Sequence, residues 1–182
     1  RATTAHSIYL LQGNVYELLV RLHTEEDLLE MLQMAQERYS KSDDADYKDE
    51  LIRGLRDGLL SVAPASAAAR RSGDIQPGVV FVNAKMLEAA ITFGTPRITM
   101  PMLELTPEAK ELLRNDVRLW SGDGANMVRD RLYIRDRLAG MASHPVGRFL
   151  IKDVYVFAPS AILAGGQEIV DCPGVGDADM FK

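Results

Sequence analysis

The clearest chemistry in the sequence lies in one short run, Ile169-Val170-Asp171-Cys172-Pro173-Gly174-Val175-Gly176-Asp177. A branched apolar strand runs into an aspartate and then into a Pro-Gly loop. An aspartate at the C-terminal end of a strand stands where ligands of open α/β sheets collect. There a carboxylate can hold a magnesium ion, usually through water. The glycine lets the backbone approach a terminal phosphate, so that its N–H donates to the anion. Losing that phosphate removes the bond and frees the loop, which is how a switch works. Asp171 to Gly174 also reads as an ordinary turn. The strand before it and Gly176-Asp177 after it favour the first reading.

Other reactive side chains form no constellation. His6, His23 and His144 are far apart in sequence, show no metal-ligand spacing, and read as structural or surface residues. Cys172 lies inside the loop with no recognisable base beside it, which argues against a nucleophile. Asp43-Asp44-Ala45-Asp46 lacks the glycine and distal glutamate of a calcium loop and reads as solvated. Arg129, Asp130, Arg131, Arg135, Asp136 and Arg137 read as a salt-bridged helix face. The methionines Met31, Met34, Met86, Met100 and Met102 read as core filler, and Trp120 as packing.

The elements that must position the loop follow from periodicity. Ser7–Leu11 and Val15–Leu22 alternate as strands around Gln12-Gly13-Asn14, a hairpin signal. Thr24 followed by Glu25-Glu26-Asp27 predicts a capped helix running to about Tyr39. A second helix is predicted over Tyr47–Val62, with Leu51, Ile52, Leu55, Leu59 and Leu60 on one face. Asn83 heads a third, ending at Gly94. Thr106-Pro107-Glu108 starts a fourth, reaching about Trp120, and Asn126–Met141 is a fifth. Arg148–Phe157 returns to strand alternation, and Gln167–Asp171 is the short strand that enters the Pro-Gly loop. The order of strands, helices and strands predicts a mixed α/β fold: a sheet interrupted by a helical insertion.

Composition bounds the function. The 182 residues suit one domain, or one domain with an insertion, and 47% are hydrophobic, enough for a packed core. A net charge of -5 without a long basic block gives no electrostatic case for nucleic acid; Arg70-Arg71 is too small a basic spot. No apolar run approaches the roughly 20 residues of a membrane span. A single cysteine and no visible signal peptide point to a reducing, intracellular compartment, cytoplasmic or nuclear. Starting at Arg1 and ending at Lys182 just after the motif, the chain reads as a piece of something longer; a processed domain is the alternative.

The run KDVYVFAPSAILAGGQEIVDCPGVGD, Lys152 to Asp177, resembles the large dynamin-like P-loop GTPases, most closely the nuclear GTPase SLIP-GC type. That family carries a strand, a Pro-containing link to a Leu-Xaa-Gly-Gly-like turn, a Val-Asp-Xaa-Pro-Gly-Xaa-Gly-Asp loop, and a long helical insertion between its two switches. Arg1-Ala2-Thr3-Thr4-Ala5-His6-Ser7-Ile8-Tyr9 is similar to its first switch and the strand after it. The resemblance implies a partial GTPase sheet. Residues 1–23 would hold a switch-like segment and strands, 24–145 the helical insertion, and 146–182 strands and the second switch loop. It implies magnesium and GTP in the intact parent. Thr4, or Thr3 one residue off, and Asp171 would manage the metal, and Gly174 would contact the γ-phosphate. It also implies hydrolysis by the parent and self-association or a protein partner through the insertion. Gly-Xaa4-Gly-Lys-Ser/Thr is absent, as is Asn/Thr-Lys-Xaa-Asp after the Pro-Gly loop. The chain alone is therefore expected to bind no nucleotide and need no cofactor. From another class, the chain reads as a helical protein-interaction module whose Pro-Gly loop is a coincidental or degenerate turn.

Overall fold

The computed structural model describes residues 6–60, 80–114, 117–143 and 149–171. Thr3, Thr4, Cys172, Gly174 and His144 lie outside the described residues. The fold is mixed α/β, as the alternation of patterns predicts. Chain contacts divide it into two units. One comprises the described residues of 6–22 and 117–171, the other those of 23–114.

The first unit holds a five-stranded mixed sheet. Its strands are β1 (Ser7–Gln12), β2 (Glu17–Leu22), β3 (Val117–Ser121), β4 (Ile151–Ala158) and β5 (Ile169–Asp171), in the order β3-β2-β4-β1-β5. β4 lies parallel to β1 and antiparallel to β2. β1 and β2 therefore form no hairpin, because β4 is inserted between them. Spanning one intervening strand means crossing about 10 Å. Four linking residues, 13–16, reach about 13 Å when extended. The link turns over the end of β4, where Gly13 N–H donates to Ala158 O at 3.0 Å. A Cβ on Gly13 would stand 2.8 Å from Phe157 Cβ, so this crossing admits only glycine without rearrangement.

Strand alternation sorts the side chains. Leu18, Val20, Val154 and Val156 face a core completed by Ile151 and by Ile134 of the helix Met127–Ser143; Ile8, Leu10, Trp120 and Leu138 pack on it. Each fully buried aliphatic side chain here contributes about 1.5–3 kcal/mol. The opposite face carries Tyr9 stacked on Tyr155, centroids 4.8 Å apart. The fourth predicted helix stops at Arg114, and Val117–Ser121 is a strand paired with β2. Asn115-Asp116 are poor helix formers, and Val117 and Trp120 are strand formers beside an open partner.

The second unit holds α1 (Glu25–Lys41), α2 (Ala45–Leu55), α3 (Ala84–Phe93) and α4 (Pro107–Arg114); the helix of the first unit is α5 (Met127–Ser143). α1 begins in the capping box the sequence announces: Thr24 Oγ1 accepts from Asp27 N at 3.1 Å, and Asp27 Oδ2 accepts from Thr24 N at 2.9 Å. Asp44 caps α2 by accepting from Asp46 N and Tyr47 N. The helix predicted over Tyr47–Val62 changes pitch at Arg56–Leu60, a π-turn. Leu51, Leu55 and Leu59 are wholly buried nonetheless. Gly94, at φ +71°, closes α3 as expected, but Asn83 does not cap it; its amide donates to Met102 O. Gln36, buried on α1, donates to Ala90 O at 2.8 Å and Pro96 O at 2.9 Å, and accepts from Ile98 N at 3.3 Å. That side chain fixes the turn after α3. Met34 and Met86 are surface residues rather than filler, 47% and 45% exposed.

Candidate functional site

β4 leads through the turn Ala161–Leu163 to Gly165 and Gly166, at φ +94° and +81°, and then into β5. Nothing lies within 4 Å of a Cβ built on either glycine. Backbone conformation, not crowding, is what requires glycine there.

β5 pairs antiparallel with β1: Leu10 faces Ile169, Tyr9 faces Val170, and Ile8 faces Asp171. The last residue of β5 thus lies beside the first residues of β1, at one end of the sheet. Asp171 is exposed there. Of the sequence-predicted site residues, Asp171 alone is described; Thr3, Thr4 and Gly174 lie outside the described residues. Thr3 and Thr4 precede Ser7, the first residue of β1, by four and three positions.

β5 is the sheet edge, and no described strand pairs with its far side. Ile169 and Val170 are 50% and 38% exposed. An apolar edge strand open to water is the kind that another strand normally covers.

An exposed carboxylate at a strand end can hold a divalent cation through water, but one carboxylate does not make a metal site. Among the described residues no group of three or more His, Cys, Asp or Glu could hold a metal. Asp171 by itself can supply one oxygen ligand to a divalent cation and no more.

A second polar group, not anticipated from sequence, lies at the same end of β1. Asp153 on β4 is 7% exposed and stands in register with Ser7 of β1 and Arg21 of β2. Arg21 donates to Asp153 Oδ2 from Nε at 2.8 Å and also from Nη2. This hydrogen bond holds the guanidinium above its ordinary pKa. His6, 4% exposed, immediately precedes β1, and its Nδ1 has no hydrogen-bond partner among the described residues. Burial lowers its pKa, against the pull of Asp153. The available signal was Arg21 and Asp153 themselves, charged residues interrupting apolar strands.

The remaining candidates are dispersed. His23 Nδ1 lies 3.6 Å from Asp27 Oδ2 beside the α1 cap. Trp120 packs on Tyr133, centroids 4.8 Å apart, but from a strand rather than a helix end. Among the described residues no helix is long and apolar enough to cross a membrane.

Comparison with known protein families, with curated proteins and with solved structures finds no match for this chain.

Proposed function

We propose that this chain is part of a GTP-binding and GTP-hydrolysing protein of the dynamin-like kind, contributing the edge of its nucleotide site. The observation that carries the reading is the β1–β5 register, Ile8 opposite Asp171. A first-switch threonine just before β1 and a magnesium-binding aspartate at the end of β5 need to work on one ion. An antiparallel pairing with this register is the arrangement that suits them. In this reading Asp171 holds magnesium, through water, with Thr4 or Thr3 as the hydroxyl ligand. Gly174 supplies the N–H that senses the γ-phosphate. The open edge of β5 supports the same reading, because a phosphate-cradle strand needs a neighbour there. The phosphate-binding lysine and the guanine selector come from the intact parent, since this chain carries neither motif.

Calorimetric titration of GTP and magnesium into a longer polypeptide that includes a Gly-Xaa4-Gly-Lys-Ser loop tests this. Asp171→Ala is expected to abolish magnesium-dependent GTP binding and turnover. Unchanged binding and turnover in that variant would falsify the reading.

One observation favours a second reading, a helical protein-interaction module. Met86 and Phe93 are 45% and 79% exposed two turns apart along one side of α3, and Val82, just before the helix, is 58% exposed. Phe93 also lines a groove of about 610 Å³, together with Arg56, Asp57, Leu60, Lys85 and Ala89. Absence of any magnesium-dependent nucleotide binding in the longer polypeptide, with partner binding lost on Phe93→Asp, favours the module.

A further inference from the structure

In the first unit, exposed large apolar side chains gather in two places. One is Ile162, Ile169 and Val170 around β5; the other is Met127, Val128 and Leu132 in the first turns of α5. The second group takes no part in the nucleotide-site reading. α5 turns Ile134 and Leu138 toward the sheet. At 3.6 residues per turn its opposite side carries Val128, Arg129, Leu132, Arg135, Asp136 and Ala139. Val128 is 63% and Leu132 39% exposed.

The charges on this side are unbalanced. Arg129 and Arg135 are 69% and 70% exposed at the side chain, and Arg131 is exposed on the flank. Asp136 bonds Arg135 at 2.9 Å. Asp130 is wholly buried and reaches Arg129 only at 3.8 Å. Arg131 has no ion-pair partner among the described residues. Two aliphatic side chains one turn apart are thus ringed by three arginines and one exposed acid. This excess of cations sits on a chain whose net charge is -5.

We propose that the outward side of α5 is a docking surface for an acidic amphipathic segment of a partner protein. Val128 and Leu132 take its apolar anchors, and Arg129, Arg131 and Arg135 pair with flanking carboxylates. Arginine suits the role because its fork meets a carboxylate in two places and it desolvates at less cost than lysine. A lipid surface fits less well. A helix lying in a membrane needs a continuous apolar side with bulky anchors, whereas α5 spends its longer apolar row on the sheet and shows two aliphatics outside. A nucleic acid fits less well again, because the chain's net negative charge opposes a polyanion at long range. A short acidic helix meets the local charge and buries the anchors, the arrangement of helix-in-groove recognition.

The test uses the full chain and a synthetic helical peptide with leucines on one side flanked by glutamates, labelled for fluorescence anisotropy. Binding is expected, weakening with salt. Arg131→Glu with Arg135→Glu is expected to lower affinity about tenfold or more, and Leu132→Asp to abolish binding. Arg53→Glu with Arg97→Glu makes the same change of net charge on exposed residues elsewhere, and should leave binding intact. Thermal melts and far-UV circular dichroism check that each variant folds. No peptide binding by the folded chain overturns the proposal. Equal loss in both charge-reversal pairs overturns it too, leaving only a net-charge effect. Binding to phosphatidylserine vesicles that is sensitive to Arg131 and Arg135, without peptide binding, overturns it in favour of a membrane surface.

Discussion

Ile8 stands opposite Asp171 in the antiparallel pairing of β1 with β5. The strand that ends in Asp171 has only this one described neighbour, and its Ile169 and Val170 face water. Two stabilities follow for one double substitution. In this chain Ile169→Thr with Val170→Thr removes side chains already half exposed. It is expected to change unfolding free energy by no more than about 0.5 kcal/mol, as surface substitutions usually do. Self-association at high concentration should fall, since an apolar edge is lost. In a longer polypeptide with a strand on the far side of β5, the same pair should cost about 2–4 kcal/mol, because the methyls are then buried. Urea titrations of both polypeptides check it; equal cost in the two removes the covering strand.

Arg21 and Asp153 make a lopsided pair. The arginine side chain is 55% exposed and the aspartate 10%. The energy therefore lies less in the attraction, which water screens, than in what happens to Asp153 when its donor goes. Arg21→Ala leaves a buried carboxylate short of two donated hydrogen bonds. The expected loss is about 1–2 kcal/mol by urea unfolding. Arg21→Lys should recover part of it, because lysine restores the charge but not the fork. Full recovery by lysine would mean that charge alone matters at this position.

His6 makes stability depend on pH. Its folded pKa lies below the ordinary imidazole value of about 6.5, chiefly because burial disfavours the imidazolium. As pH drops below 6.5 the unfolded chain takes up the proton first. Stability is therefore whole above about 6.5 and is lost as pH falls toward and through the lowered folded value. Asp153 opposes the shift, so removing it should widen that window. Urea midpoints at neutral and mildly acidic pH are expected to differ more in wild type than in His6→Phe. A difference of the same size in both assigns the acid sensitivity to other groups.

Gln36 fastens the turn after α3 to α1. Its amide joins α1 to Ala90, Pro96 and Ile98 through three hydrogen bonds at 2.8 to 3.3 Å. Gln36→Leu keeps the bulk and strips all three, leaving backbone groups near the core without partners. The expected cost is about 2–4 kcal/mol in urea unfolding. Amides of the turn after α3 should lose protection from hydrogen exchange while those of α5 keep theirs, a pattern that separates a local fastening from general weakening.

Local signals in the sequence transferred well to local structure. Thr24 with Asp27, Thr106 with Pro107, and Gly94 mark helix ends by bonds or conformations that a few adjacent residues decide, whereas Asp44, read as part of a solvated loop, caps α2. What was not legible depended on partners distant in sequence. Ser7–Gln12 and Glu17–Leu22 read as strands, yet their hairpin signal could not reveal that β4, over a hundred residues later, fits between them. Val117–Ser121 continues an amphipathic run, and only the open side of β2 makes it a strand. In the candidate site, Asp171 at a strand end was legible because strand and loop adjoin. The Arg21–Asp153 pair and the buried His6 were not, since register across three strands assembles them.

Gly13 shows how such a distant partner constrains one residue. A short turn tolerates many residues, and the Gln12-Gly13-Asn14 sequence read alone asks only for a turn. In the fold, the link from β1 to β2 passes over the end of β4, and a Cβ on Gly13 would meet Phe157 Cβ at 2.8 Å and Val15 O at 3.1 Å. Neither atom is the free end of a flexible side chain, so the backbone must move. Gly13→Ala is expected to destabilise the sheet by about 1–3 kcal/mol. It should also weaken the Gly13 N–H to Ala158 O bond that closes the crossing. Phe157→Ala would not relieve the clash, because it keeps the Cβ that alanine at 13 meets; Phe157→Gly would. Double-mutant cycles by urea unfolding should therefore show coupling of Gly13→Ala with Phe157→Gly and little with Phe157→Ala. Equal coupling in both cycles would show that β4 does not pass beneath this link.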